Sequence, residues 1–148
     1  MLTIGMVAQT SFSVDSTLVS STYPDDTQVF YPWIELTNNT GNLLEMRCVK
    51  VLDQKPATWQ TWLEDLDSAY NLVPDTSKFF LPAVNQQAQF IIVSFHPNNT
   101  VGRATVKLKL YPANNPADSV ILTYNGNAYA VPIDTTTGIA KHNDWLPN

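Results

Sequence analysis

Apolar residues in this chain recur at every second position, in short runs broken by turn-forming residues every 8 to 14 positions. Side chains alternate between the two faces of a strand, so this period specifies half-buried β-strands rather than helices. Residues 28–37 give the clearest case. Phe30, Ile34 and Leu36 fall on one face, and Tyr31, Trp33 and Glu35 fall on the other. Leu44, Met46 and Cys48 share a face opposite Glu45 and Arg47, and the segments 105–110 and 119–124 alternate cleanly. Phe90 to Phe95 is apolar on both faces, as expected of a central strand.

Turn residues divide these runs. Tyr23-Pro-Asp-Asp26, Asn38-Asn-Thr-Gly41 and the segment from Pro112 to Pro116 read as turns or loops. Asn125-Gly126 reads as a tight hairpin turn, with a further short strand over Ala128 to Val131. Phe12 and Val14 open a first strand that continues to Leu18 and Val19, and Phe79 to Pro82 forms another. Residues 56–75 are the least regular, and Trp59, Trp62, Leu63 and Leu66 fit a helical turn as well as a strand. Ten prolines spread along the chain argue against helical architecture, because proline removes a helix hydrogen bond and clashes with the preceding turn. The expectation is an all-β fold, an immunoglobulin-like two-sheet antiparallel β-sandwich of seven to eight strands over residues 10–132.

The ends differ from this middle. Residues 1–9 are mostly apolar and reach a small residue, Ala8, which reads as the remnant of a secretory signal with a mature start near Gln9 or Thr10. Residues 133–148 lack a strand pattern and read as a linker toward a further C-terminal region. No run approaches the roughly 20 apolar residues of a membrane-spanning helix.

Composition narrows the chemistry. With 13 acidic and 8 basic residues the net charge is −5, so nucleic acid would meet net repulsion. The longest local basic feature, Lys107 and Lys109, reads as a solvated strand face rather than a basic stripe. Cys48 is the lone cysteine, which excludes an intramolecular disulfide, and it reads as a buried, inert thiol. Neither His96 nor His142 has a second histidine nearby in sequence to build a catalytic or metal cluster. Glu64, Asp65 and Asp67 are the only dense carboxylates. They could serve calcium binding or glycoside hydrolysis, but the spacing lacks the glycine of a calcium loop, and Asp65 reads as a turn cap. No catalytic residue, metal ligand or cofactor site is expected.

Two surface features carry functional readings. Tyr31 and Trp33 face away from the core side of their strand and could stack on sugars or contact a protein, unless a terminal segment covers them. Four Asp-Ser or Asp-Thr sites, with acceptors Ser16, Ser68, Ser119 and Thr135, fall at expected strand ends or loops, where composition alone supplies about one. They read either as turn sequences with local hydrogen bonds or as O-glycan acceptors.

Asn38-Asn39-Thr40 is followed by Trp59-x3-Leu63-Glu64-Asp65-x3-Ala69-Tyr70, then Phe95-His96-Pro97-Asn98, then Gly102-Arg-Ala104-Thr-Val106-Lys-Leu108-Lys-Leu110. This series, covering about two-thirds of the chain, resembles the immunoglobulin-like module of proteins exported by the type IX secretion system. In that module the positions of Glu64 and Ala69 are cysteines. The resemblance implies that these two residues replace a short-range disulfide worth about 2 kcal/mol, which a domain can lose and still fold. It also implies a cleaved signal, the Asp-Ser/Thr glycan pattern, and a C-terminal sorting domain introduced by a linker like Thr137-Gly138-Ile139, here without the sorting domain itself.

The resulting expectation is a secreted or surface-displayed, non-catalytic structural or adhesion-type module. Its implied partners are the type IX machinery and either another protein or a second copy of itself at the cell surface. The alternative is a carbohydrate-binding module that uses Tyr31 and Trp33, and a small hydrolase is the third reading.

Overall fold

The computed structural model describes residues 10–83 and 88–130, which form ten strands and no helix. In chain order these are β1 (Phe12–Val14), β2 (Leu18–Tyr23), β3 (Trp33–Asn38), β4 (Leu44–Gln54), β5 (Gln60–Glu64), β6 (Ala69–Tyr70), β7 (Thr76–Leu81), β8 (Gln89–His96), β9 (Gly102–Pro112) and β10 (Val120–Ala128). They build two five-stranded sheets, the first ordered β1-β3-β8-β5-β6 and the second β2-β10-β9-β4-β7. The fold is the expected immunoglobulin-like sandwich, with ten strands in place of seven to eight.

The extra strands have identifiable origins. The chain between Phe12 and Tyr23 does not run as one strand. It breaks at Asp15–Thr17, so β1 joins the first sheet and β2 crosses to the second. Asp15 holds the break, its carboxylate accepting the Glu35 N–H at 2.9 Å. The irregular stretch after residue 56 supplies β5 and β6, so the helical alternative for Trp59 to Leu66 is not realised. β2 pairs parallel to β10, the one departure from antiparallel pairing among the described strands.

Asn125-Gly126 is not a turn. β10 runs straight through it, and no described glycine has positive φ. Gly126 is there for space. A Cβ at this position would lie 2.8 Å from both the Phe30 and the Phe95 ring, so the glycine lets the two stacked rings reach the second sheet. Of the expected strand over Ala128 to Val131 only Ala128 is in a strand, as the last residue of β10; Tyr129 and Ala130 lie beyond it, and Val131 is outside the described residues.

The core lies between the sheets and follows the alternation. Ile34, Leu36, Leu63, Ile91, Val93 and Phe95 of the first sheet meet Met46, Cys48, Phe79, Val106, Leu108 and Leu122 of the second. Several polar groups inside are paired, whereas Asp65 Oδ2 and Ser77 Oγ are buried with no hydrogen-bond partner among the described residues. The Tyr124 hydroxyl crosses the core to donate to the Ile91 carbonyl at 2.9 Å, and burial pushes its pKa well above the ordinary value. Asn38 is buried, with Nδ2 donating to the Asn42 and Leu81 carbonyls at 2.8 and 3.0 Å and Oδ1 accepting from Thr40. The buried Trp59 ring donates from Nε1 to the Thr100 carbonyl, closing a turn in which Asn98 and Asn99 take left-handed φ values of 52° and 60°. Asparagine tolerates that region better than most residues. Asn38, Trp59 and Asn98 belong to the motif series quoted above, and each one ties a loop to the sandwich.

Candidate functional site

Inward residues of β3, β8 and β5 are consumed by the core, so their outward residues define what the first sheet presents. Register places them in rows. Trp33 stands opposite Ile92, which stands opposite Glu64, and Glu64 opposite Ala69. Glu35 pairs with Phe90, Trp62 with Ser94, and Gln60 with His96. Tyr31 leaves the chain two residues before Trp33, on the same side of an extended segment.

The result is an aromatic face. Tyr31 is 58% exposed, Trp33 57%, Phe90 38% and Trp62 37%. Trp33 and Phe90 meet edge-to-face with centroids 6.4 Å apart. The Trp62 and His96 rings lie at 4.2 Å, and the His96 ring also hydrogen-bonds Ser94 Oγ through Nε2 at 3.1 Å. Burial lowers the pKa of His96, so the ring is neutral near pH 7 and adds no positive charge. Glu35 and Glu64 are the carboxylates of this face. Beside it, where β2 faces the 30–33 segment, lies an open groove of about 530 Å³, between Val19, Ser21 and Tyr23 on one side and Phe30, Pro32 and Trp33 on the other.

Sequence periodicity places Tyr31 and Trp33 on the exposed side. It misses Trp62, Phe90 and His96, because what brings these together is cross-strand register, and no local pattern encodes that. The one available signal was that Phe90 and Trp62 sit in alternating or doubly apolar runs that leave an aromatic ring on each outer side.

The carboxylate cluster separates into three different roles. Glu64 lies on the outer face. Asp65 Oδ1 caps the β5–β6 turn, accepting the Asp67 and Ser68 N–H groups at 3.0 and 2.9 Å. Asp67 accepts the Phe80 N–H at 2.7 Å, binding that turn to the edge of β7. Among the described residues no group of three His, Cys, Asp or Glu could hold a metal ion. Cys48 is buried, and desolvation pushes its thiol up to about 12, far from thiolate chemistry at neutral pH.

Ser16, Ser68 and Ser119 are exposed in loops between strands, whereas Thr135 lies outside the described residues, as do residues 1–9 and 131–148. The aspartates preceding the three serines all bond to backbone far away in sequence. Asp15 takes the Glu35 N–H, Asp67 that of Phe80, and Asp118 that of Ser11 at 2.8 Å. Each of these aspartates therefore has a job in the fold, while Ser68 and Ser119 are exposed.

The second sheet presents a different outer face. Lys107 and Lys109 do not stand alone on it. Tyr111 is opposite Arg47 and Arg47 opposite Lys78, so β4, β7 and β9 assemble a basic surface that no single stretch of sequence contains.

No protein-family model matches the sequence, and no curated protein matches it. Similarity to solved structures is extensive. The N-terminal domain of PorA superposes with a TM-score of 0.57 at 9% identity, covering 81% of this chain and 89% of that one. PapD-like domain 7 of human CEP192 superposes with a TM-score of 0.52 at 11% identity, covering 90% of this chain and 96% of that one. At such identities the likeness is one of fold: the chain is an immunoglobulin-like β-sandwich.

Proposed function

We propose that this domain is a secreted or surface-displayed, non-catalytic interaction module exported by a type IX pathway, and that the outer face of the first sheet is its contact surface. The observation that carries the reading is the group of exposed rings, Tyr31, Trp33, Phe90 and Trp62, on a sheet whose other side already fills the core. Aromatic rings carried on a sheet give large contact area at low entropic cost, which suits them to recognition. Export rests on the motif series from Asn38 to Leu110 and on its resemblance to type IX cargo.

Two measurements test this. In the native cell, loss of the type IX outer-membrane channel should remove the protein from the exterior. The purified domain should bind the outside of its own cells, with binding reduced at least about tenfold by Trp33→Ala or Phe90→Ala while the fold is retained. Retention of binding in both variants would remove this face from the proposal.

A second reading, glycan binding, is favoured by the mixture of rings with Glu35, Glu64, Gln60 and Ser94, since sugars present both apolar faces and hydroxyls. Binding on a glycan array that is lost with Trp33→Ala would select it over a protein partner.

A further inference from the structure

Charge is segregated between the two sheets. The strands of the first sheet contain no Lys or Arg, whereas those of the second contain Arg47, Lys50, Lys78, Arg103, Lys107 and Lys109, six of the eight in the chain. Five of these six point outward, because their strand neighbours Met46, Phe79, Ala104, Val106 and Leu108 are buried and side chains alternate. Lys50 is the exception, turned to the rim where it pairs with Asp75 at 2.8 Å.

This basic face is under-compensated. Arg47 has Glu45 at 2.7 Å, but among the described residues no ion pair involves Lys78, Arg103, Lys107 or Lys109. Arg47 and Lys78 stand directly opposite each other, a like-charge cross-strand pair that costs stability. Such clustering of like charge on a chain of net charge −5 costs a little in repulsion, which a negative surface covering it would relieve. The first sheet's outer face offers the complement, with Glu35 and Glu64 set among Trp33, Phe90 and Trp62. Lys and Arg are attracted to carboxylates and to aromatic faces alike.

We propose that the basic outer face of the second sheet docks on the acidic, aromatic outer face of the first sheet of a second copy of this chain. This rests on reading the domain as an interaction module and names its partner. The two faces lie on opposite sides of the sandwich, so the contact is heterologous and a docked pair keeps one free face of each kind. Association is then open-ended, a stack rather than a closed dimer. Strands about 4.8 Å apart and six residues of about 3.3 Å give each face roughly 24 by 20 Å, or about 500 Å². The total of about 1,000 Å² is at the low end for a specific interface, so the contact is weak in dilute solution and salt-sensitive.

Sedimentation velocity on the purified chain tests the proposal. Expected is reversible association that grows with concentration without a plateau at the dimer, and that weakens about tenfold between low and high salt. One double variant, Lys107→Glu with Lys109→Glu, reverses the basic face. A second, Glu35→Lys with Glu64→Lys, reverses the acidic face. Each alone should be monomeric, and an equimolar mixture should associate again, because both of its mixed contacts are complementary. Circular dichroism on each variant confirms that the fold is kept. A wild type that is monomeric to about millimolar concentration, a saturating dimer, or folded variants whose mixture stays monomeric would each overturn the inference. A monomer that still binds cells through Trp33 would overturn this contact and leave the proposed function standing.

Discussion

Glu64 and Ala69 stand directly opposite one another in the β5–β6 hairpin. The next pair inward to the turn is hydrogen-bonded, with the Asp65 N–H donating to the Ser68 carbonyl at 2.9 Å. In an antiparallel ladder the Glu64–Ala69 pair is therefore the non-hydrogen-bonded kind, in which the side chains approach most closely and Cα atoms lie about 4.5 Å apart. That is within the range a disulfide spans.

The Glu64→Cys, Ala69→Cys double variant should form this disulfide on oxidation without distortion. Closing a loop this short stabilises by about 2 kcal/mol on the chain-entropy model. Chemical denaturation of the oxidised and reduced forms measures the difference. Failure to oxidise, or a bridge that destabilises, would show that the hairpin cannot take the geometry.

Gly126→Ala should destabilise through overpacking. The added Cβ meets two aromatic rings at 2.8 Å, Phe30 in a loop and Phe95 in a central strand, and both rings are fully packed. Overpacking of this kind costs about 1–3 kcal/mol, and Gly126→Val should cost more. If the glycine instead served a turn, both variants would lose little in packing, and the denaturation midpoints of Ala and Val would not be ranked by size.

These two sites mark where the sequence was readable and where it was not. Burial alternation within Trp33–Asn38, Leu44–Cys48 and Gly102–Leu110 follows the apolar period, because each of those strands is long and faces water on one side. β1 and β6, with three and two residues, are too short to display a period. Gly126 carries the composition of a turn and the role of a spacer, and only the Phe30 and Phe95 rings distinguish the two. The aromatic and basic faces were legible only as fragments, Tyr31 with Trp33 and Lys107 with Lys109. Their completion by Phe90, Trp62, Lys78 and Arg47 depends on which strands become neighbours.

Asp65→Asn should keep the fold and lose little at pH 7, whereas Asp65→Ala should cost about 2 kcal/mol by freeing the Asp67 and Ser68 N–H groups. Burial, the largest influence, raises the pKa of Asp65 against the lowering by those two N–H groups. A folded-state pKa above the unfolded one means that the folded protein holds the proton more tightly. The contribution of Asp65 is thus least favourable above its folded pKa and improves as pH falls through it. Relative to wild type, Asp65→Asn should accordingly be at its best near neutral pH and lose ground as the solution is acidified. Urea melts across that range decide it, and a difference that grows more favourable to Asn at low pH would contradict the sign.

Modification is the last expectation, and it depends on export. On protein secreted by the native cell, at least one of Ser16, Ser68, Ser119 and Thr135 should carry a glycan. A bulky sugar needs a hydroxyl on an exposed loop, and Ser68 and Ser119 meet that need, Ser68 in the β5–β6 turn and Ser119 beside the start of β10. Ser16 is the weakest acceptor of the three. Its Oγ accepts the Leu18 N–H at 3.1 Å and donates to the Leu18 carbonyl at 2.6 Å, so modification there breaks a local ring of hydrogen bonds that shapes the crossover between the sheets. Ser68 has its own constraint, since its backbone N–H and carbonyl both serve the Asp65 turn, but its hydroxyl is not part of that arrangement. Intact-mass measurement on secreted protein, followed by Ser68→Ala and Ser119→Ala, assigns the position. A mass equal to that of the bare polypeptide would leave Asp15, Asp67 and Asp118 as sufficient reason for these sequences, each aspartate being there to hold a distant backbone N–H.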